Sequence, residues 1–221
     1  MALIELGAEV TNVAVFAAGM LLGLTAIPMG SGDITDAIAS AFGIKRFQAE
    51  RLKCVHGSAI ASPADHRELI AVDAPGDELS GQPARHADDK NRIPRAELIS
   101  VITGQLDVLL ESVNKALKGL GFVGTRGQQL VLTGGGAELS GLADYAQASF
   151  GKPVRIGKPT ALEGMPEAYA MPGFSTLAGL VLYAAADPQD IRTLGSQHQT
   201  ALRLAPGGMI RRLTQAAKAY F

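Results

Sequence analysis

Two short apolar runs, residues 3–6 and 13–16, flank a more polar stretch at 7–12. That pattern predicts a β-hairpin with its turn in 7–12. Ala18 and Gly19 turn the chain again, and residues 21–29 supply a third strand, so the chain opens on a meander. The apolar positions then change to helical spacing. Ile34, Ala37, Ile38, Ala41 and Phe42 form one stripe, with Asp33 as the expected N-cap and Gly43 as the stop. A second helix carries Phe47, Ala49, Leu52 and Val55 among Lys45, Arg46, Glu50, Arg51 and Lys53. Over 56–94 apolar density falls and prolines and glycines punctuate the chain, which predicts a small polar subdomain whose clearest strand is 69–72. Residues 95–120 carry the strongest helical signal: Ile99, Ile102, Leu106, Leu109, Val113, Ala116 and Leu117 recur every three or four positions. A buried strand at 129–133 runs into Gly134-Gly135-Gly136 and a helix start. A helix at 140–150, an edge strand at 154–156 and a proline-punctuated loop at 159–171 follow. The apolar segment 174–185 reads as a helix buried on both sides.

The pattern stops at Asp187-Pro188. Residues 187–206 are polar and aperiodic, the signature of a flexible linker. Gly207-Gly208 then precedes an amphipathic stretch. At 100° per residue, Met209, Ile210, Leu213, Ala216, Ala217, Tyr220 and Phe221 share one arc, and Arg211, Arg212, Gln215 and Lys218 the other. It contains no acidic residue. A basic amphipathic helix on a tether, ending in aromatics, suits an anionic membrane surface. A helix docked on its own domain, a disordered tail and a helix-binding partner are the competing readings.

Composition narrows the classes. With 221 residues and 47% apolar content, the chain can build one large domain or two modest ones. A net charge of −1 provides no global field to attract nucleic acid. The single cysteine, Cys54, excludes an internal disulfide and a cysteine metal cluster, and fits a reducing compartment. His56, His66, His86 and His198 match no metal-ligand spacing, so no metal site is expected. No apolar run is long enough to span a membrane, and no basic leader precedes residue 5. A chain that begins in mid-strand reads as the second half of something larger.

Three segments can carry chemistry. The turn after the first strand, with Gly7, Thr11 and Asn12, is either an ordinary hairpin or a grip for phosphate. Glu50 and Lys53, three apart, share a helix face and read first as a surface ion pair worth a few tenths of a kcal/mol. Gly134, Gly135, Gly136 and Ala137 form a strand–glycine–helix junction. It admits a flat ligand against the backbone, or is a turn with no ligand.

The order of these motifs resembles the FtsA family of bacterial cell-division proteins, actin-like members of the actin/Hsp70/sugar-kinase ATPase superfamily. The resemblance covers nearly the whole chain and matches only the family's second half, subdomains 2A and 2B. Residues 27–39, Ile-Pro-Met-Gly-Ser-Gly-Asp-Ile-Thr-Asp-Ala-Ile-Ala, are similar to the family's Ile-Pro-x-Gly-Gly-x-x-Ile/Val-Thr-x-x-Ile-Ala stretch. Residues 49–53 match Ala-Glu-x-x-Lys, residues 132–137 match the adenosine motif, and residues 172–180 look like the closing helix. The terminal stretch looks like the family's membrane-targeting sequence. In the second phosphate motif, Glu5 and Asn12 stand where the family has Asp, and Ala8 and Glu9 where it has glycines. These departures count against tight phosphate binding and hydrolysis.

The resemblance implies an α/β fold, an actin-like (ribonuclease H-like) ATPase domain with a mixed five-stranded sheet flanked by helices and a small α+β insertion. It divides the chain into subdomain 2A (1–35 and 94–186), subdomain 2B (36–93), a linker (187–206) and a membrane-targeting helix (207–221). It implies ATP with Mg as cofactor, held weakly or not at all without the first half. Gly7, Thr11 and Asn12 would face phosphate, Glu50 the ribose and Lys53 the adenine, with Gly134–136 and Ala137 as the adenosine wall. Met209, Ile210, Arg211, Arg212, Leu213, Lys218, Tyr220 and Phe221 would enter an anionic membrane. No catalytic residue is implied. The expected role is an adaptor, peripheral on the inner face of the cytoplasmic membrane at the division site. It would tether FtsZ, join other division-ring proteins, self-associate into actin-like filaments and bind no nucleic acid. The alternative within the superfamily is a sugar- or acetate-kinase-like phosphotransferase, which needs an acidic base and an intact phosphate turn.

Overall fold

The computed structural model describes residues 1–72, 92–123, 128–159, 163–164 and 166–186. The linker and amphipathic stretch expected at 187–221 lie outside the described residues. In chain order the elements are β1 (Ala2–Leu6), β2 (Thr11–Ala17), β3 (Met20–Ile27), α1 (Ser31–Phe42) and α2 (Arg46–His56). A short hairpin follows, β4 (Leu69–Ala71) and β5 (Arg92–Pro94), and then α3 (Arg95–Gly119). The last are β6 (Leu130–Thr133), α4 (Leu142–Phe150), β7 (Val154–Ile156) and α5 (Ser175–Ala185). The described residues up to 178 form one compact unit, and residues 179–186 fall outside it. Among the described residues no helix is long and apolar enough to cross a membrane.

The main sheet runs β3-β2-β1-β6-β7. β1 pairs antiparallel with β2 and parallel with β6, and β6 pairs parallel with β7. β6 is therefore the inner parallel strand its apolar run predicts, and all four of its residues are buried. Register places Ala2, Ile4 and Leu6 beside Val15, Val13 and Thr11 on one side and Leu130 and Leu132 on the other. These side chains share one face of the sheet, because the strand period is two. The buried stripe of α3, Leu98, Ile102, Leu106, Leu109, Val113 and Leu117, joins them in one core. Each fully buried Leu or Ile contributes about 1.5–3 kcal/mol relative to exposure.

Several sequence expectations need correction. The hairpin turn is residues 7–10, because Thr11 and Asn12 already pair with Leu6 and Glu5 in β2. Polar side chains made these two strand positions resemble a turn. Gly30, not Asp33, is the N-cap of α1. Asp33 sits in the first turn and its carboxylate accepts the Gly30 N–H at 2.7 Å. The element after the three glycines is a single 3₁₀ turn (Gly135–Glu138), and α4 begins only at Leu142. Ala178 is the one buried residue of α5, so the expectation of burial on both sides fails. Apolar composition reports what a helix could bury, not what covers it.

The loop 62–68 that leads into β4 is fastened to the start of α3 by a buried charge. Asp65, 2% exposed, accepts the Ser62 N–H and pairs with Arg95 at 3.2 Å. Arg95 also reaches Glu68 at 2.9 Å and the His56 carbonyl at 3.2 Å. A carboxylate this deep would be costly without such partners.

Candidate functional site

The turn between β1 and β2 rests on the first residues of α1. Ser31 donates its N–H to the Gly7 carbonyl at 2.9 Å, and Gly32 to the Ala8 carbonyl at 2.7 Å. A Cβ at Gly30 would lie 2.4 Å from the Ala8 oxygen, so only glycine permits this approach. The leading donors of α1, which could otherwise hold an anion, are thus spent on the turn. Gly7 closes the turn through its N–H to Val10 at 3.0 Å. Thr11 is placed differently from expectation. It is fully buried and its hydroxyl donates to the Met29 carbonyl at 2.8 Å, so its side chain belongs to the core and not to a phosphate site. Asn12 lies on the opposite face, donating to Glu5 Oε2 at 2.6 Å, while Glu5 Oε1 accepts Thr176 at 3.2 Å. Both Glu5 oxygens are engaged. Glu9 reaches Arg46 at 3.3 Å on the surface, which offsets part of its charge.

Glu50 and Lys53 are a pair in which the lysine is buried and the glutamate half exposed. Lys53 is 8% exposed and its ammonium meets Glu50 Oε2 at 2.7 Å, Thr35 Oγ1 at 2.8 Å and the Ser31 carbonyl at 2.9 Å. Three acceptors use all three of its donors. In this structure the Lys53 donors lock α2 onto α1. Sequence spacing could not reveal this, because Ser31 and Thr35 stand on the neighbouring helix. The Glu50 carboxyl is pushed up by partial burial. Hydrogen bonds from Lys53 and Thr35, with the lysine charge, outweigh this and hold it below its ordinary value of 4.5. Among the described residues its Oε1 meets the Cys54 thiol, at 3.4 Å.

The three glycines after β6 differ in their reasons. Gly134 has φ 86° and a Cβ there would meet the Leu6 oxygen at 2.5 Å. At Gly136 a Cβ would lie 2.4 Å from Leu6 Cγ and 3.1 Å from Ser31 Cβ. Those two glycines are required by the fold. A Cβ at Gly135 would meet nothing within 4 Å and its φ is not positive, so the fold does not require glycine there. Ala137 is buried behind it. Glu138, not foreseen as part of the site, accepts the Gly173 N–H at 3.0 Å. Its charge also reaches Cys54 on α2.

The geometry thus brings the 7–10 turn, the start of α1 and the 134–137 junction together at the carboxyl ends of β1 and β6. Ser31 connects this cluster to Lys53 and Glu50. Ligands of open α/β sheets bind at such strand ends. The family model described as "Cell division protein FtsA" matches residues 2–179 of this chain. The chain belongs to the FtsA family of cell-division proteins. It is 33% identical over 195 residues to FtsA of Rhizobium meliloti (strain 1021), a match covering 88% of this chain and 42% of the relative. With FtsA of Escherichia coli (strain K12) identity is 32% over 187 residues, covering 81% and 42%. The chain thus spans less than half the length of these relatives. Among solved structures, MreB5 of Spiroplasma citri bound to AMPPNP is similar at a TM-score of 0.58 and 17% identity, covering 90% of this chain and 55% of that one. The PilM–PilN type IV pilus biogenesis complex gives a TM-score of 0.58 at 17% identity, covering 82% and 45%. The fold is actin-like, with the mixed five-stranded sheet that the family resemblance implied.

Proposed function

We propose that this chain is the membrane-binding part of a cell-division adaptor that uses nucleotide as an assembly signal and does not turn it over as a metabolic substrate. It tethers FtsZ filaments to the inner face of the cytoplasmic membrane at the division site, where it helps assemble the septum. The observation that carries this reading is the gathering of turn 7–10, the 134–136 glycines and the Glu50–Lys53 pair around the first turns of α1 in a chain of the FtsA family.

The residues fit a nucleoside. Gly135 has open space where a Cβ would stand, and Glu50 offers one weakly occupied oxygen. The phosphate end fits less well, since Ala8 and Glu9 bring side chains to the turn. ATP with Mg, when bound, supplies the phosphate charge to which such a turn responds. Glu5, near the end of β1, has both oxygens hydrogen-bonded, and Glu9 in the turn is paired with Arg46, which weighs against a phosphotransferase that needs a free base. Self-association into actin-like filaments and contacts with other division-ring proteins follow from the same family reading, with the 36–93 insertion as the FtsZ-facing part.

The membrane contact is Met209 to Phe221, on the strength of its basic amphipathic sequence. Co-sedimentation with phosphatidylglycerol-containing vesicles tests it. The 221-residue chain is expected to pellet with the vesicles and a version lacking residues 207–221 to stay in solution. Equal pelleting of the two would remove the anchor.

A further inference from the structure

We propose that Thr35 is a positioning residue of the cleft: its buried hydroxyl, together with Lys53, pins one oxygen of Glu50 and so aims the other, Oε1, at the open side where a ribose hydroxyl docks. The inference rests on the nucleotide reading above and adds to it the residue that orients the ribose acceptor.

The hydrogen bonds leave little freedom. Thr35 is fully buried on α1. Lys53 donates to its Oγ1 at 2.8 Å, so the hydroxyl acts there as acceptor and keeps a single proton to give. Two acceptors compete for that proton, Glu50 Oε2 and the Ser31 carbonyl at 3.3 Å. The carboxylate is closer and charged, so it takes the proton. Glu50 Oε2 therefore receives two donors, Lys53 at 2.7 Å and the Thr35 hydroxyl. Two donors on one oxygen fix the plane of the carboxylate, where a lysine alone would let it swing. Oε1 is left with the Cys54 thiol at 3.4 Å. A thiol is a weak donor, and an alcohol replaces it at a carboxylate oxygen with a net gain.

The same geometry predicts how the ligand is read. Glu50 offers one oxygen, so it accepts one ribose hydroxyl, not a bidentate pair. Lys53 contributes to ribose recognition only by holding Glu50.

Cys54 makes the orientation measurable without a ligand. It is the single cysteine of the chain and is exposed, so the rate of alkylation reports it alone. Partial burial pushes its thiol up, and the hydrogen bond and charge of Glu50 push it further, with Glu138 adding and Lys53 opposing. Moving Glu50 away lowers that titration.

The test compares the 221-residue chain with Thr35→Val and Thr35→Ser, titrating each with ATP and with 2′,3′-dideoxy-ATP and recording the pH profile of Cys54 alkylation. Thr35→Val is expected to weaken ATP about fivefold, the worth of one net hydrogen bond, and to leave the dideoxy nucleotide unchanged. Its Cys54 profile shifts to lower pH, and Thr35→Ser restores both. Equal losses for the two nucleotides with an unmoved Cys54 profile would overturn the proposal and leave Thr35 a fastening between helices. If the unaltered chain binds neither nucleotide, the nucleotide reading fails, and the Cys54 profile still decides whether Thr35 orients Glu50. Should Thr35→Val not fold, the unaltered chain decides: ATP lowers the Cys54 titration and the dideoxy nucleotide does not, whereas equal effects overturn the proposal.

Discussion

Gly135 and Gly136 are adjacent and identical, yet they answer to different constraints. A methyl at 136 collides with Leu6 in the sheet and presses on Ser31, while a methyl at 135 meets open space. Gly136→Ala should therefore lose about 1–3 kcal/mol, the usual cost of overpacking, in a denaturant titration. Gly135→Ala should unfold with the unchanged chain and still lose nucleotide affinity, because its methyl stands where a base or sugar would lie on the backbone. Comparable destabilisation by both substitutions would return Gly135 to the fold. Glu50 gives a second prediction at this scale. Its folded pKa is held below 4.5, so the stabilisation it gives is present above that value and is lost as pH falls through the lower folded value. Glu50→Gln should flatten the acid limb of a stability profile below about pH 4.5 by lowering stability at neutral pH, modestly because half of this side chain faces solvent.

At the scale of elements, α4 is tied to α3 by a phenol. Tyr145 donates to Asp107 at 2.5 Å, and partial burial with that carboxylate pushes the phenol up to about 12. The tie is complete below the unfolded tyrosine value near 10 and disappears as pH rises through about 12. Tyr145→Phe should abolish that alkaline loss in a pH series of thermal melts. An unchanged slope between pH 10 and 12 would place the loss elsewhere.

Elements with one dominant period were readable from the chain. The stripe of α3 runs through its 25 residues, and the buried run of β6 announces an inner strand. The three glycines and Glu50 stood out because glycine and paired charge are conspicuous. What escaped depended on partners remote in sequence. Thr11 looked like a turn residue until its hydroxyl was seen to satisfy Met29, eighteen positions on. Lys53 looked like a surface cation because Ser31 and Thr35, which bury it, belong to another helix. Asp33 carried the chemistry of a cap but sits in the first turn, where its carboxylate reaches back to the N–H of the cap residue Gly30. Glu138 had no visible signal, since its acceptor role depends on Gly173, thirty-five residues away.

For the whole molecule, the proposed function joins two devices in one chain, a nucleotide site and a membrane-binding sequence. The first is an edge of convergent backbone and one aimed carboxylate. The second is a basic amphipathic sequence following a polar stretch that, where flexible, spans roughly 5–6 Å × √n for n residues. A protein with both couples a filament to a surface. The direct measurement is recruitment of FtsZ to vesicles containing phosphatidylglycerol, followed by flotation. With the 221-residue chain present, FtsZ should float with the vesicles, and with the chain cut before residue 207 it should remain at the bottom. FtsZ floating equally with both forms, or with neither, would contradict the tether.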